Sequence, residues 1–145
     1  MSIKQAAWIH GTSVQLENSS WSNLALRQGF FTTVRPSNES TSGWVHFAIP
    51  TPVIVNDARL RAHSALIRFT TGRQASIGAI HIFDGEKKIH ERNGLNLQGT
   101  LQLVREPISK SQRVHWGTGV SILVNFNDGS SDAFIQLIGA GIDFI

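Results

Sequence analysis

Val120-Ser121-Ile122-Leu123-Val124-Asn125-Phe126, followed at once by Asn127-Asp128-Gly129, is the stretch on which the fold turns. Val120, Ile122, Val124 and Phe126 fall on one side of an extended chain. Ser121 and Asn125 fall on the other, with Leu123 the one apolar residue among them. Side chains alternate across a strand with period two, so this pattern is a strand with one buried face. Asn-Asp-Gly suits a tight turn, and the sequence predicts a final hairpin pairing residues 120–126 with residues 133–138.

Working outward, the same period recurs. Residues 44–49 carry Val45, Phe47 and Ile49 on one face and Trp44, His46 and Ala48 on the other, until Pro50 and Pro52 end the ladder by lacking an amide proton. Residues 77–83 and 87–92 flank Asp84-Gly85, a second hairpin signal. Residues 6–10, 13–16, 29–35, 53–55 and 95–104 are further strand candidates, the last with a bend at Gly99. Residues 18–23, 36–43 and 107–119 are polar enough for loops, with Trp21 and Trp116 standing among polar neighbours. Residues 56–66 admit two readings. Asn56-Asp57 could cap a helix, but no apolar stripe follows at helical spacing, so a strand running on through residues 67–70 is favoured. The apolar phase changes near Ala65, which predicts a bulge or a crossing between sheets.

Nine to eleven short strands with little or no helix predict an all-β fold. The expected architecture is a two-sheet antiparallel β-sandwich, jelly-roll-like in its possible connections, forming one domain over residues 1–145. The apolar end at Ile142, Phe144 and Ile145 belongs in a sheet.

Composition narrows the functional classes. The chain has 145 residues, 13 Lys and Arg, 10 Asp and Glu, and neither Cys nor Tyr. Its pI of about 10.0 follows from the lack of any side chain titrating between His and Lys. The basic residues are scattered rather than striped, so no nucleic-acid partner is predicted. No apolar run reaches the roughly 18–20 residues of a membrane helix, so no membrane partner is predicted. Without cysteine there is no disulfide framework or thiolate chemistry, which fits a cytoplasmic location.

Several segments together resemble a known family. They are Trp8-Ile9-His10-Gly11, Trp44-Val45-His46-Phe47-Ala48-Ile49-Pro50-Thr51-Pro52-Val53-Ile54, Ala79-Ile80-His81-Ile82-Phe83-Asp84-Gly85, Trp116-Gly117 and Ala140-Gly141-Ile142-Asp143-Phe144. The family is one of small bacterial proteins catalogued only as a domain of unknown function. The resemblance implies a bacterial, single-domain, mostly β protein and assigns no residue a role.

The residues offer three kinds of candidate site. Trp44 and His46 share a strand face directed away from the core, and His115-Trp116 sits in a loop; exposed indole beside imidazole suits sugar or protein recognition. Arg59, Arg61 and His63 share a face on the strand reading, at about 6–7 Å spacing, and could recognise an anion. A composite of His46, His81 and His115 could bind metal, as could the oxygen-rich set of Asn125, Asn127, Asp128, Asp132 and Asp143. All six His stand singly, however, and no cupin-type His-x-His pattern appears, so no metal site and no cofactor are predicted. Glycine-rich phosphate loops, nucleophile elbows and HExxH are also absent from the sequence.

The leading expectation is therefore a non-catalytic binding or interaction module that self-associates. Ile80 and Ile82 stand opposite Ala79 and Phe83, and Ile135 and Leu137 opposite Phe134 and Ile138, so some strands are apolar on both faces and need cover on both. The alternatives are a carbohydrate or small-ligand binding domain and, after that, a cupin-like metal-dependent enzyme.

Overall fold

Period-two alternation becomes pleated structure over most of the chain, and the neighbours each strand takes decide what it presents. The computed structural model describes residues 2–22, 24–38 and 41–145. Among these run strands β1 (Gln5–His10), β2 (Gln15–Leu16), β3 (Leu26–Gln28), β4 (Phe31–Val34), β5 (Ser42–Ile49), β6 (Ile54–Val55) and β7 (Ala58–Arg59). They continue as β8 (Ala62–Thr71), β9 (Ala75–Asp84), β10 (Lys87–Arg92), β11 (Gln102–Pro107), β12 (Thr118–Phe126) and β13 (Ile135–Phe144). Residues 39 and 40 of the expected 36–43 loop, and residue 23 of the 18–23 segment, lie outside the described residues.

Two antiparallel sheets hold all of these strands but β6 and β7, which pair as a separate ribbon. One has the order β11-β8-β13-β4-β3, with β1 also on β13; the other has the order β10-β9-β12-β5-β2. Among the strands from β4 onward, leaving out the short β6-β7 ribbon, four pair in each sheet, as β11-β8-β13-β4 and β10-β9-β12-β5. That interleaved order is the jelly roll. The inner faces meet in one apolar cluster. Val120, Ile122 and Val124 of β12, Val45 and Phe47 of β5, and Ile80 and Ile82 of β9 pack with Ile67 and Phe69 of β8 and Ile135, Leu137 and Phe144 of β13. Each such side chain contributes about 1.5–3 kcal/mol on leaving water.

Asp84-Gly85 forms the expected hairpin. Asp84 pairs with Lys87, and Gly85 takes φ +56° at the first of two turn residues, as a type II′ turn requires. The strand reading of residues 56–66 also holds. Asn56 and Asp57 take φ +51° and +62°, the two positive values of a type I′ turn, and join β6 to β7. The change of phase falls at His63: Asp143 pairs with Ser64 and Phe144 with Ala62, leaving His63 as a bulge.

The last hairpin is different from expectation. β12 pairs with β5 and β9, whereas β13 pairs with β8, β4 and β1 in the opposite sheet. Asn127, Asp128 and Gly129 adopt no positive φ; instead the Asp128 carboxylate accepts from the Ser130 amide at 2.9 Å. The connection is thus a crossover, and the two apolar faces meet across the core rather than edge to edge. Trp21 also departs from its expected loop setting. It lies on a short helix (Ser19–Ser22), is 0% exposed, and meets Phe126 edge-on at 5.3 Å.

Candidate functional site

Strand register builds a polar and aromatic face on the outside of the β10-β9-β12-β5-β2 sheet. Ser121 at the centre of β12 stands opposite His46 on β5 and His81 on β9, and His46 is in turn opposite Gln15 on β2. Leu123 stands opposite Trp44 and Ala79, and Gly119 opposite Ala48 and Phe83. Because inward residues alternate with these, the same pleat that buries Val45, Phe47, Ile80, Ile82, Val120 and Ile122 delivers Trp44, His46, His81, Phe83 and Ser121 outward.

Their contacts define a shallow depression of about 230 Å³ lined by Glu17, Trp44, His46, His81, Phe83 and Ser121. The Trp44 and His81 rings meet at 4.6 Å between centroids, tilted by 46°. His46 bridges two partners, with Nδ1 2.8 Å from Ser121 Oγ and Nε2 3.1 Å from Glu17 Oε1. His81 Nε2 lies 2.8 Å from Asn93 Oδ1 and 3.6 Å from Glu91 Oε2. Lys88 Nζ donates to Glu91 at 2.7 Å, and that hydrogen bond and charge hold the Glu91 carboxyl below its usual range. Hydrogen-bonding groups therefore flank an indole whose position is fixed by a neighbouring ring. Such a surface pairs an apolar stacking face with oriented polar groups.

His115 and Trp116 belong to a separate loop at the end of β9. Asp84 Oδ2 accepts from the His115 amide at 2.9 Å, and Oδ1 accepts from the Trp116 and Gly117 amides at 2.9 and 3.1 Å. Burial pushes the Asp84 carboxyl up, but the donors from Trp116, Gly117 and His115 together outweigh it, and its pKa lies below the ordinary aspartate value. The indole of Trp116 rests against Gly85, where an added methyl group would come within 2.9 Å of it, and is 73% exposed. Trp116 does not itself line the Trp44 depression, whose wall at Phe83 stands two residues before Gly85.

The remaining candidates separate further. Arg59 and Arg61 line a depression where β8 begins and β13 ends, while His63, displaced by its bulge, does not join them. The proposed His46, His81 and His115 composite is split, since only the first two flank Ser121. The oxygen-rich set is dispersed as well: Asp132 pairs with Arg73, Asp143 with Arg105, and Asn125 with Ser42. Among the described residues no group of three or more His, Asp or Glu is placed to hold a metal. His81 and Phe83 as partners of Trp44 escaped the sequence reading. Their parity opposite Ile80 and Ile82 was visible, but which strand lay beside β5 was not.

Comparison with solved structures finds similarly folded chains. A low-affinity xylan binding module, CBM86, from Roseburia intestinalis superposes with a TM-score of 0.58 at 9% identity, covering 97% of this chain and 96% of that one. The catalytic unit of a GH87 α-1,3-glucanase from Streptomyces thermodiastaticus gives 0.50 at 9% identity, covering 99% of this chain and 27% of that one. An exo-β-1,3-galactanase from Phanerochaete chrysosporium gives 0.48 at 14% identity, covering 97% of this chain and 30% of that one. The chain thus spans less than a third of the two enzymes and nearly all of the xylan binding module. No curated protein matches the sequence. A family described only as of unknown function, DUF6623, matches residues 2–145.

Proposed function

The chain belongs to that family of unknown function, and we propose that it is a non-catalytic carbohydrate-binding module whose ligand lies on the outer face of β9, β12 and β5. The observation that carries this reading is the Trp44–His81 ring pair set beside His46, Ser121 and Glu17 in one open depression. A pyranose presents an apolar face of C–H groups to an aromatic ring and a rim of hydroxyls to neighbouring side chains. Trp44 supplies the ring, and the His46, Glu17 and Asn93 groups supply donors and acceptors at its edge. The likeness of the fold to a xylan binding module supports the same class.

The placement of the carboxylates supports a non-catalytic role. The carboxylates beside the depression, Glu17 and Glu91, come from the two edges of the sheet, four strand spacings or roughly 19 Å apart at the backbone. Each faces the histidine on its own side. Glycosidases set two carboxyl groups across one glycosidic bond, whereas here each carboxylate is tied to its own imidazole. Titrating xylan and other neutral polysaccharide fragments while following tryptophan fluorescence tests the proposal. Saturable binding at high micromolar to millimolar concentration is expected, and silence across a broad glycan panel would refute it.

Self-association is a second reading, favoured by Trp8, Leu26 and Leu103, which lie exposed on strands of the opposite sheet. Beside β13, Phe134 finds cover within the chain: the Arg35 guanidinium lies 5.3 Å over its ring. A light-scattering mass of one chain at micromolar concentration would exclude this reading and leave the carbohydrate reading untouched.

A further inference from the structure

Four cations converge on one concavity far from the Trp44 face. Lys4, Arg59, Arg61 and Arg113, with Ser2 and Ile145, line a depression of about 350 Å³. They come from three segments distant in sequence, and backbone hydrogen bonds lock those segments together. The Lys4 amide donates to Phe144 O at 2.9 Å, Arg61 and Ile145 exchange bonds of 2.8 and 2.9 Å, and the Val114 amide donates to Leu60 O at 2.9 Å. Two of the guanidiniums are also anchored, Arg59 through Nη1 to Val114 O at 3.1 Å and Arg61 through Nη1 to Ser111 O at 3.3 Å. Their remaining N–H groups are left for a ligand.

Among the side chains that line this place the charge is one-sided. No Asp or Glu side chain lines the depression, and among the described residues none of the four cations forms an ion pair. Arg61 and Arg113 are moreover paired directly across a β-bridge, where like charges repel. A solvated strand face would hold its charges apart along one element. Here folding drives them together, which is the arrangement that a bound anion relieves. Arginine forks match the oxygens of phosphate and sulfate in bidentate fashion, and four positive charges suit a dianion better than a single carboxylate.

We infer that this pocket binds a tetrahedral dianion, either free sulfate or phosphate or a phosphate monoester on a larger molecule. The inference is independent of the carbohydrate reading. Its test is calorimetry and thermal denaturation with sodium sulfate and sodium phosphate, against sodium chloride at matched ionic strength so that general screening is common to all arms. Glucose 6-phosphate forms the ester arm. Lys4→Gln and Arg113→Gln are the variants of choice, because neither side chain makes a hydrogen bond within the described chain, and circular dichroism verifies their fold.

Dianions are expected to raise the Tm of the native chain more than that of either variant and to bind at least tenfold more weakly to each variant, while Trp44→Ala binds them as the native chain does. Tighter binding of glucose 6-phosphate than of free phosphate identifies an ester as the ligand, and equal or weaker binding identifies the free ion. A Tm that follows ionic strength alone, or variants that bind dianions like the native chain, overturns the inference.

Discussion

Replacing Asp84 with Asn isolates the carboxylate that holds the His115-Trp116 loop to the end of β9. The side chain of Asp84 is 7% exposed and accepts three backbone N–H groups through its two oxygens. Asparagine retains one acceptor oxygen. If that oxygen keeps the Trp116 and Gly117 amides, the new NH2 group faces the His115 amide, donor against donor. Hydrogen bonds to a charged group are worth about 1.5–3 kcal/mol, neutral ones about 1, and a buried donor left unpaired costs about 1–3 kcal/mol. Allowing for relaxation of an exposed loop, the variant should lose about 2–4 kcal/mol, a fall in Tm of roughly 10 °C for a domain of this size.

The pH dependence carries a definite sign. The folded pKa of Asp84 is depressed, so the unfolded chain takes up its proton first as pH falls. The stabilisation is fully present above the ordinary aspartate pKa and is lost as pH drops through the lower folded value. Thermal denaturation of native chain and variant between pH 7 and pH 3 reads this directly. The gap between them should be constant down to about pH 5, then narrow, while amide exchange at residues 115–117 accelerates in the variant at neutral pH. A variant within about 0.5 kcal/mol of the native chain, within the range of an inert surface change, would refute the reasoning.

Three further substitutions probe other parts of the fold. Trp21→Ala should cost about 3–5 kcal/mol by chemical denaturation, because the ring is fully buried against Phe126. Gly141→Ala would set a methyl group 2.6 Å from Trp8 Cδ2 and 2.8 Å from Ala7 O, so β1 must shift, with a loss of about 1–3 kcal/mol and altered Trp8 fluorescence. Glu106→Ala leaves half-buried His90 without its 3.3 Å partner and breaks the Arg92 contact at 3.1 Å; a loss of about 2–4 kcal/mol is expected, read by urea denaturation.

Much of the architecture was legible in the sequence because period two survives tertiary context. Residues 44–49 and 120–126 needed only their own side chains to declare an inner and an outer face, and Asp84-Gly85 needed only a glycine at a positive φ. Asn127-Asp128-Gly129 misled for the opposite reason. Turn-forming residues permit a hairpin, but whether the next strand pairs in the same sheet or crosses to the other is decided by which edges are already occupied, and β12 has β5 and β9 on its two sides. Trp21 misled because polar neighbours describe exposure of the backbone segment, not the destination of one large ring.

The site was legible in part. Trp44 and His46 followed from parity alone, while their meeting with His81, Phe83 and Ser121 required the β5-β12-β9 register. Arg59 and Arg61 were visible as one strand face. Lys4 and Arg113 were not, since only the folded chain brings the start of β1 and the loop before β12 to the same place.

The most direct measurement of the carbohydrate-binding account is a 1H–15N spectrum of the four tryptophan indoles during titration with a xylan oligosaccharide. The account predicts that the Trp44 resonance moves with ligand, that backbone shifts centre on residues 44, 46, 81, 83 and 121, and that the Trp8, Trp21 and Trp116 indoles stay in place. Shifts confined to Trp116 or Trp8, with Trp44 unmoved, would contradict it.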